Sequence, residues 1–447
     1  MQSDSHGLPR EMADRFAHPF ARFLKVESST GVILLLSVVV ALILSNSPLS
    51  SSSSRFWETP VGFHFGAVDF TRSLRHWIND GLMTLFFFVV SLELKRELVH
   101  GELRSFRMAA FSFAGALGGM LVPASLYLAL MYDKPGIQGW GTVMATDTAF
   151  VIGSLALLGS RIPVGLRLYL LFLAIFDDVG SILVVAVGYG GELRWPALAI
   201  VAALVAGIFG AARLGIRGVA VYSLLGVGLW LALDASGIHP TLAGVALGLM
   251  TPAREWVSDD RLRALFERVI AYPKGKHWSG DTVERADLRR AGVAAREALS
   301  PVERLEMRIH PWSGFIIMPL FALANAGVRL SWTELGSPIT SAVFVGLAVG
   351  KPIGVFTMSW LAVRVGLATR PEGVKWSLLA AGALLTGIGF TMSLFIAGLA
   401  FDPTMLRAAK IGILGASGVS GATGLLMLAW LTSEKKARRA TVLGSTS

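Results

Sequence analysis

The chain has no cysteine. That excludes disulfides, thiolate metal sites and thiol catalysis, and says nothing about compartment. Charge is also scarce. Only 16% of the 447 residues are Asp, Glu, Lys or Arg, where a soluble domain carries about a quarter. Acids are the rarer sign, 30 against 40 Lys and Arg, for a formal net charge of +10. The opening MQSDSHGLPREMADRF carries acids and no early apolar core, so no signal peptide is expected and the first apolar run is expected to be a membrane helix.

Apolar residues fill the space. They make up 53% of the chain and come in runs rather than alternating with polar ones. About twelve runs approach the ~20 residues that cross a bilayer as a helix. They lie near 29–46, 77–94, 107–131, 140–158, 165–188, 195–212, 218–234, 239–252, 311–328, 340–363, 374–400 and 407–432. Gly165 to Gly188 as a helix is roughly 36 Å long, enough for a hydrocarbon core of about 30 Å. The expected fold is therefore an all-α polytopic membrane protein of about twelve transmembrane helices.

Lys and Arg cluster on alternate loops. One set holds Lys95, Arg96, Arg104 and Arg107, then Arg161 and Arg167, Arg213 and Arg217, Arg364 and Arg370. The tails add Arg10, Arg15, Arg22 and Lys25, and Lys435, Lys436, Arg438 and Arg439. The other set has Lys134, Arg194 and Arg329 singly. The rich set and both tails are expected in the cytoplasm, consistent with an even helix count. The net positive charge is then a topology signal and no indication of nucleic-acid binding.

The expected organisation is a cytoplasmic segment at 1–28, a transmembrane domain at 29–432 and a cytoplasmic tail at 433–447. Two polar segments interrupt the membrane domain. In residues 50–75, FHFGAVDF places Gly66-Ala67 between aromatic-rich flanks, the pattern of a small extramembrane β-hairpin. An isolated hairpin is marginal in water, so a homodimer pairing the same hairpin of a second subunit is expected. The insert at 254–310 is dense in both charge signs. It ends in SPVERLEMRIHPW, where Ser300, Pro301 and Glu303 form a capping-box helix start. Val302, Leu305 and Ile309 share one side of that helix, which suits a membrane surface.

The run LFLAIFDDVGSILVVAV puts Asp177 and Asp178 near the bilayer midplane. A charge there costs at least about 2.5–3.5 kcal/mol, so intramembrane acids are functional candidates. Neighbouring carboxylates titrate as a coupled pair. A hard cation entering between them favours the ionised form and expels protons, so one site binding either species supplies exchange by competition alone. GWGTVMATDTAFVIGSLALLG carries Thr146, Asp147 and Thr148 mid-span, and AAGALLTGIGFTMSLFIAGLA carries Thr386 and Thr391 among glycines. Such spans suggest two broken helices, one in each half of the chain, around a midplane site. Asp147 would offset the positive helix ends, and Lys351 in VGKPIGV the negative ends, or pair with an aspartate.

MATDTAF, AIFDDVGSI, WINDGLM, SLELKREL, GIHPTLAGVALG, HPWSGFIIMPLFALANAGV and GKPIG together resemble the motifs of the NhaA-type sodium/proton antiporters, from about Ser28 to Leu431. The resemblance implies inverted repeats, an architecture known for that family rather than read from this sequence. It implies a bacterial inner-membrane transporter, without a cofactor, that exports Na⁺ or Li⁺ against more than one inward H⁺ and is therefore electrogenic. Asp177 and Asp178 would form the cation and proton site with Thr146 and Asp147 beside it, and Lys351 would compensate charge. Glu93, Glu97 and His239 match positions tied to pH response, and Asp80 matches an acid near the periplasmic end of the second helix. Thr148 stands where isoleucine is usual, and Ser181 where alanine is common.

Three other readings fit less well. An intramembrane aspartyl protease places its acids on separate facing helices, whereas these are adjacent. A cation-coupled carrier of organic anions needs a basic or aromatic pocket, and Lys351 is the lone midplane base. A passive channel leaves the broken helices without a purpose.

Overall fold

The computed structural model describes residues 27–65, 68–99, 101, 106–214, 216, 219–253, 257–270, 283–329, 331–371 and 373–444. Arg10, Arg15, Arg22, Lys25, Gly66, Ala67, Arg104 and Arg217, named above, lie outside them.

Helix α1 spans Glu27–Ser45, and strands β1 (Pro60–Phe65) and β2 (Val68–Ser73) pair antiparallel from Pro60 against Ser73 to Phe65 against Val68. Then follow α2 (Leu74–Val99), α3 (Phe106–Leu130), a 3₁₀ segment Ile137–Val143, α4 (Thr148–Leu158), α5 (Val164–Gly188), α6 (Trp195–Arg213), α7 (Val219–Ser236) and α8 (Leu242–Met250). The insert forms α9 (Asp259–Ile270) and α10 (Val283–Glu297). The remainder is α11 (Pro301–Trp312), α12 (Met318–Asn325), α13 (Pro338–Arg364), α14 (Trp376–Leu385), α15 (Phe390–Ala400) and α16 (Pro403–Gly444).

Among the described residues, seven helices are long and apolar enough to cross a membrane, and up to nine if each bent pair counts as one span. The sequence suggested about twelve runs. The difference lies in short or interrupted pieces: the apolar helix Ala220–Ser236 is short, α8 has nine residues, and a π-helical turn at Ser313–Ile317 separates α11 from the eight-residue α12. The chain forms two compact units. One comprises residues Met1–Asn79, Arg107–Tyr189 and Gly314–Ser447, the other Asp80–Phe106 and Gly190–Ser313.

In the second unit, Gly244 and Gly248 of α8 bring its backbone against Thr84, Phe88 and Ser91 of α2. Ile208, Leu229, Leu233 and Ala243 form a core between α6, α7 and α8. Outward, Ile200, Phe209, Leu224 and Val227 are all more than half exposed. Apolar side chains facing out from tightly packed helices are what a lipid solvent selects. The capping box at Ser300 and Glu303 forms. The side of α11 carrying Val302 and Leu305 packs on Leu92, Phe88 and Ala253, so protein rather than a membrane surface covers it.

In the first unit, α3 and α13 cross where Gly118 meets Gly354. A Cβ on either would fall well inside contact distance of the other's carbonyl oxygen. Small residues permit such backbone approach between membrane helices, and this crossing seats Lys351, one turn before Gly354. Gly354→Ala must push the helices apart. We expect it to lower the melting temperature of the purified variant in detergent.

Candidate functional site

Two interrupted helices meet inside the first unit. The chain runs as a 3₁₀ segment to Val143, passes Ala145 and Thr146 without helical structure and re-enters a helix at Thr148. Its counterpart breaks between α14 and α15, over residues 386–389, with a bend of 47°. Each break leaves N–H and C=O groups without helical partners. At the meeting point the Asp147 N–H donates to the Ile388 carbonyl at 2.7 Å, and Thr146 Oγ1 donates to the Thr386 carbonyl at 3.2 Å.

Asp147, fully buried, caps two helices at once. Its Oδ1 accepts from Phe150 N at 3.1 Å, closing the first turn of α4. Its Oδ2 accepts from Thr391 N at 3.0 Å and Thr391 Oγ1 at 2.5 Å, closing the first turn of α15. A carboxylate facing two helix N-termini is stabilised by both partial positive charges, so burial of this acid has a local electrostatic reason.

Lys351 answers on the opposite side. Its ammonium donates to the Met144 carbonyl, at the end of the 3₁₀ segment, and lies 2.9 Å from Asp177 Oδ2. Lys351 and Asp177 are both 0% exposed. The sequence offered two tasks for this lysine, and the geometry gives it both contacts.

The Asp177 Oδ2 also accepts from Thr146 Oγ1 at 2.5 Å, tying α5 to the first break. Asp178, equally buried, accepts at Oδ2 from Thr148 Oγ1 at 3.3 Å. Thr146, Asp147, Asp177, Asp178 and Lys351, with the half-buried Thr148 beside them, therefore form one polar centre in an apolar helix bundle. It holds three carboxyls against one ammonium, and a cation or protons would correct that imbalance.

The remaining sequence candidates sit in the second unit. His310 Nε2 contacts Glu93 Oε1 at 3.2 Å, and Arg96 bridges Glu97 at 2.8 Å and Glu306. Sequence reasoning named Glu93 and Glu97 but missed Arg96, Glu306 and His310 as their partners. The available signal was two charge-rich helix ends, SLELKREL and VERLEMRIH. His239 is held at 2.8 Å by Thr241 just before α8. Asp80, also buried, lies in the π-helical turn Trp77–Leu82 of α2.

The family described as Na+/H+ antiporter 1 matches residues 21–428. The chain belongs to this family. The antiporter-family chain is 59% identical over 429 residues to the Na(+)/H(+) antiporter NhaA of Rhizobium meliloti (strain 1021), covering 96% of this chain and 98% of that protein. It is 58% identical over 421 residues to Na(+)/H(+) antiporter NhaA 1 of Acidiphilium cryptum (strain JF-5), with 94% of each covered. It is 49% identical over 432 residues to Na(+)/H(+) antiporter NhaA 2 of Vibrio vulnificus (strain CMCP6), with 97% of each covered. Membership in the antiporter family makes the chain a multi-pass membrane transporter rather than an enzyme.

Proposed function

We propose that the protein exports Na⁺ or Li⁺ in exchange for more than one H⁺, by alternating access, with cation and protons competing for Asp177 and Asp178. The buried ion pair Lys351–Asp177, set beside Asp178 at the meeting of two broken helices, carries this reading. The carboxylates lose their protons when the cation arrives and regain them when it leaves. Thr146 and Thr148 orient the two carboxylates from the first break. Asp147 and the Lys351–Met144 contact hold that break in shape. The Lys/Arg distribution supports both termini in the cytoplasm, and membership in the antiporter family supports the inner membrane as location. The two-stranded β1–β2 sheet supports a homodimer, because a hairpin gains stability when its edges find further strands.

Everted vesicles containing the protein should collapse a preformed ΔpH when Na⁺ or Li⁺ is added. A ΔpH that persists after both ions have been added refutes antiport. Net charge movement makes the exchange sensitive to voltage, at about 2.3 kcal/mol per charge per 100 mV. Exchange should therefore be faster with potassium and its ionophore present to compensate charge, and equal rates with and without them would show electroneutral exchange.

The Glu93–His310 and Arg96–Glu306 contacts support pH regulation in the second unit. Burial, against the opposing pull of Arg96, pushes the Glu306 carboxyl up to about 7. The hydrogen bond to Glu93 holds the His310 imidazolium above its ordinary value. Glu306 is thus neutral below about 7 and ionised above it, adding negative charge beside Glu93 and Glu97. Glu306→Gln keeps the low-pH charge state at every pH. Its rise in exchange rate between roughly pH 6 and 8 should be blunted, since a group titrating near 7 changes charge across that interval. A pH–rate profile superimposable on wild type would remove Glu306 from the response.

A further inference from the structure

We infer that Ser181 supplies a neutral oxygen ligand to the transported cation. This rests on the reading of Asp177 and Asp178 as the cation site.

Buried hydroxyls on apolar helices usually turn back to the carbonyl one turn earlier. The buried Ser37 and Thr432 do so in this protein. Ser181 does not. It is 0% exposed, and its Oγ has no hydrogen-bond partner among the described residues. A buried hydroxyl without a partner is costly, so its retention needs a reason.

Its place on α5 supplies one. Successive helical residues are about 100° apart, so relative to Asp177 the side chain of Asp178 lies at about 100° and that of Ser181 at about 40°. Ser181 thus projects between the two acids, one turn further along the helix. The matching position one turn earlier is Ala174, which offers only a methyl group. Asp177 Oδ1 is likewise buried without a hydrogen bond, although Oδ2 is engaged by Thr146 and Lys351. Two acceptor oxygens of one helical turn are therefore left uncommitted at the acid pair, in an enclosure of apolar helices. A hard monovalent cation is satisfied by such oxygens, and ligand number together with cavity size sets which ion fits.

The sizes of the ions decide the direction of the effect. Li⁺ completes its shell with fewer oxygens than Na⁺, so loss of one ligand should fall harder on Na⁺. In proteoliposomes, Ser181→Ala should raise the half-saturating Na⁺ concentration about three- to tenfold, the range one polar contact is worth, with the maximal rate unchanged. The corresponding Li⁺ value should rise less. Ser181→Cys preserves volume but offers a soft sulfur, so it should behave like Ser181→Ala. The concentration of Na⁺ that protects the purified protein against thermal unfolding should move in parallel, a readout independent of turnover.

Unchanged Na⁺ half-saturation and unchanged thermal protection in both variants would overturn the assignment of Ser181. A lowered maximal rate for Ser181→Ala with wild-type behaviour for Ser181→Cys would also overturn it, by showing that the site needs only the volume. Failure of the underlying site is separately visible: Asp177→Asn and Asp178→Asn would then still transport.

Discussion

Asp178→Asn should abolish Na⁺-driven ΔpH collapse in everted vesicles with a smaller loss of stability than Asp177→Asn. Asp177→Asn should abolish transport as well, but with a visible loss of stability. The amide has the size of the carboxylate and cannot release a proton, so at either position competition between cation and proton disappears. The stability difference follows from the partners. Asp177 neutralises the fully buried Lys351 at 2.9 Å, whereas Asp178 accepts from the partly buried Thr148 hydroxyl at 3.3 Å. Removing one member of a buried pair costs about 3–5 kcal/mol. Lys351 keeps its 2.9 Å partner Asp177 in Asp178→Asn and loses it in Asp177→Asn. Transport by either amide at wild-type rate would show that the exchange site lies elsewhere. Equal melting of the two variants would retain the site but assign no structural weight to the Asp177–Lys351 contact.

The two aspartates were legible because the bilayer makes acids conspicuous: in LFLAIFDDVGSILVVAV nothing else is charged. The broken spans were legible from Gly and Thr inside apolar runs, and the hairpin from its turn residues. Other parts depend on contacts that no local pattern encodes. Asp147 could be expected near a helix end, but its capping of two helices requires that Thr391 come within 2.5 Å across 244 residues. Glu306 and His310 join Glu93 and Arg96 because α11 packs on α2, a pairing that sequence periodicity does not specify. The apolar side of α11 misled for the same reason, since an amphipathic helix looks alike whether protein or a membrane surface covers it. Ser181 stood out in the sequence only as a departure from the family's common alanine. Its unsatisfied hydroxyl became visible once burial and hydrogen bonds were known.

Lys351→Ala is expected to lower stability by about 3–5 kcal/mol, because it leaves the Asp177 carboxylate without its counter-charge where water does not reach. The Met144 carbonyl, at the end of the 3₁₀ segment, loses its donor in the same step. An ammonium merely reaching for the interface would behave otherwise, since truncating an ordinary surface side chain changes stability by a few tenths of a kcal/mol. Lys351 is 0% exposed, so interfacial reach is not its position. A double-mutant cycle separates the pair from the packing. If the loss comes from an orphaned charge, Asp177→Asn combined with Lys351→Ala should be more stable than the sum of the two single losses predicts, because neither variant charge remains buried alone. If the loss comes from the space left by the lysine stem, the two effects should add. Melting curves of the four proteins in one detergent decide between them. Additivity within about 0.5 kcal/mol, the usual limit for independent sites, would show that Lys351 supports the fold by filling volume and not by balancing Asp177.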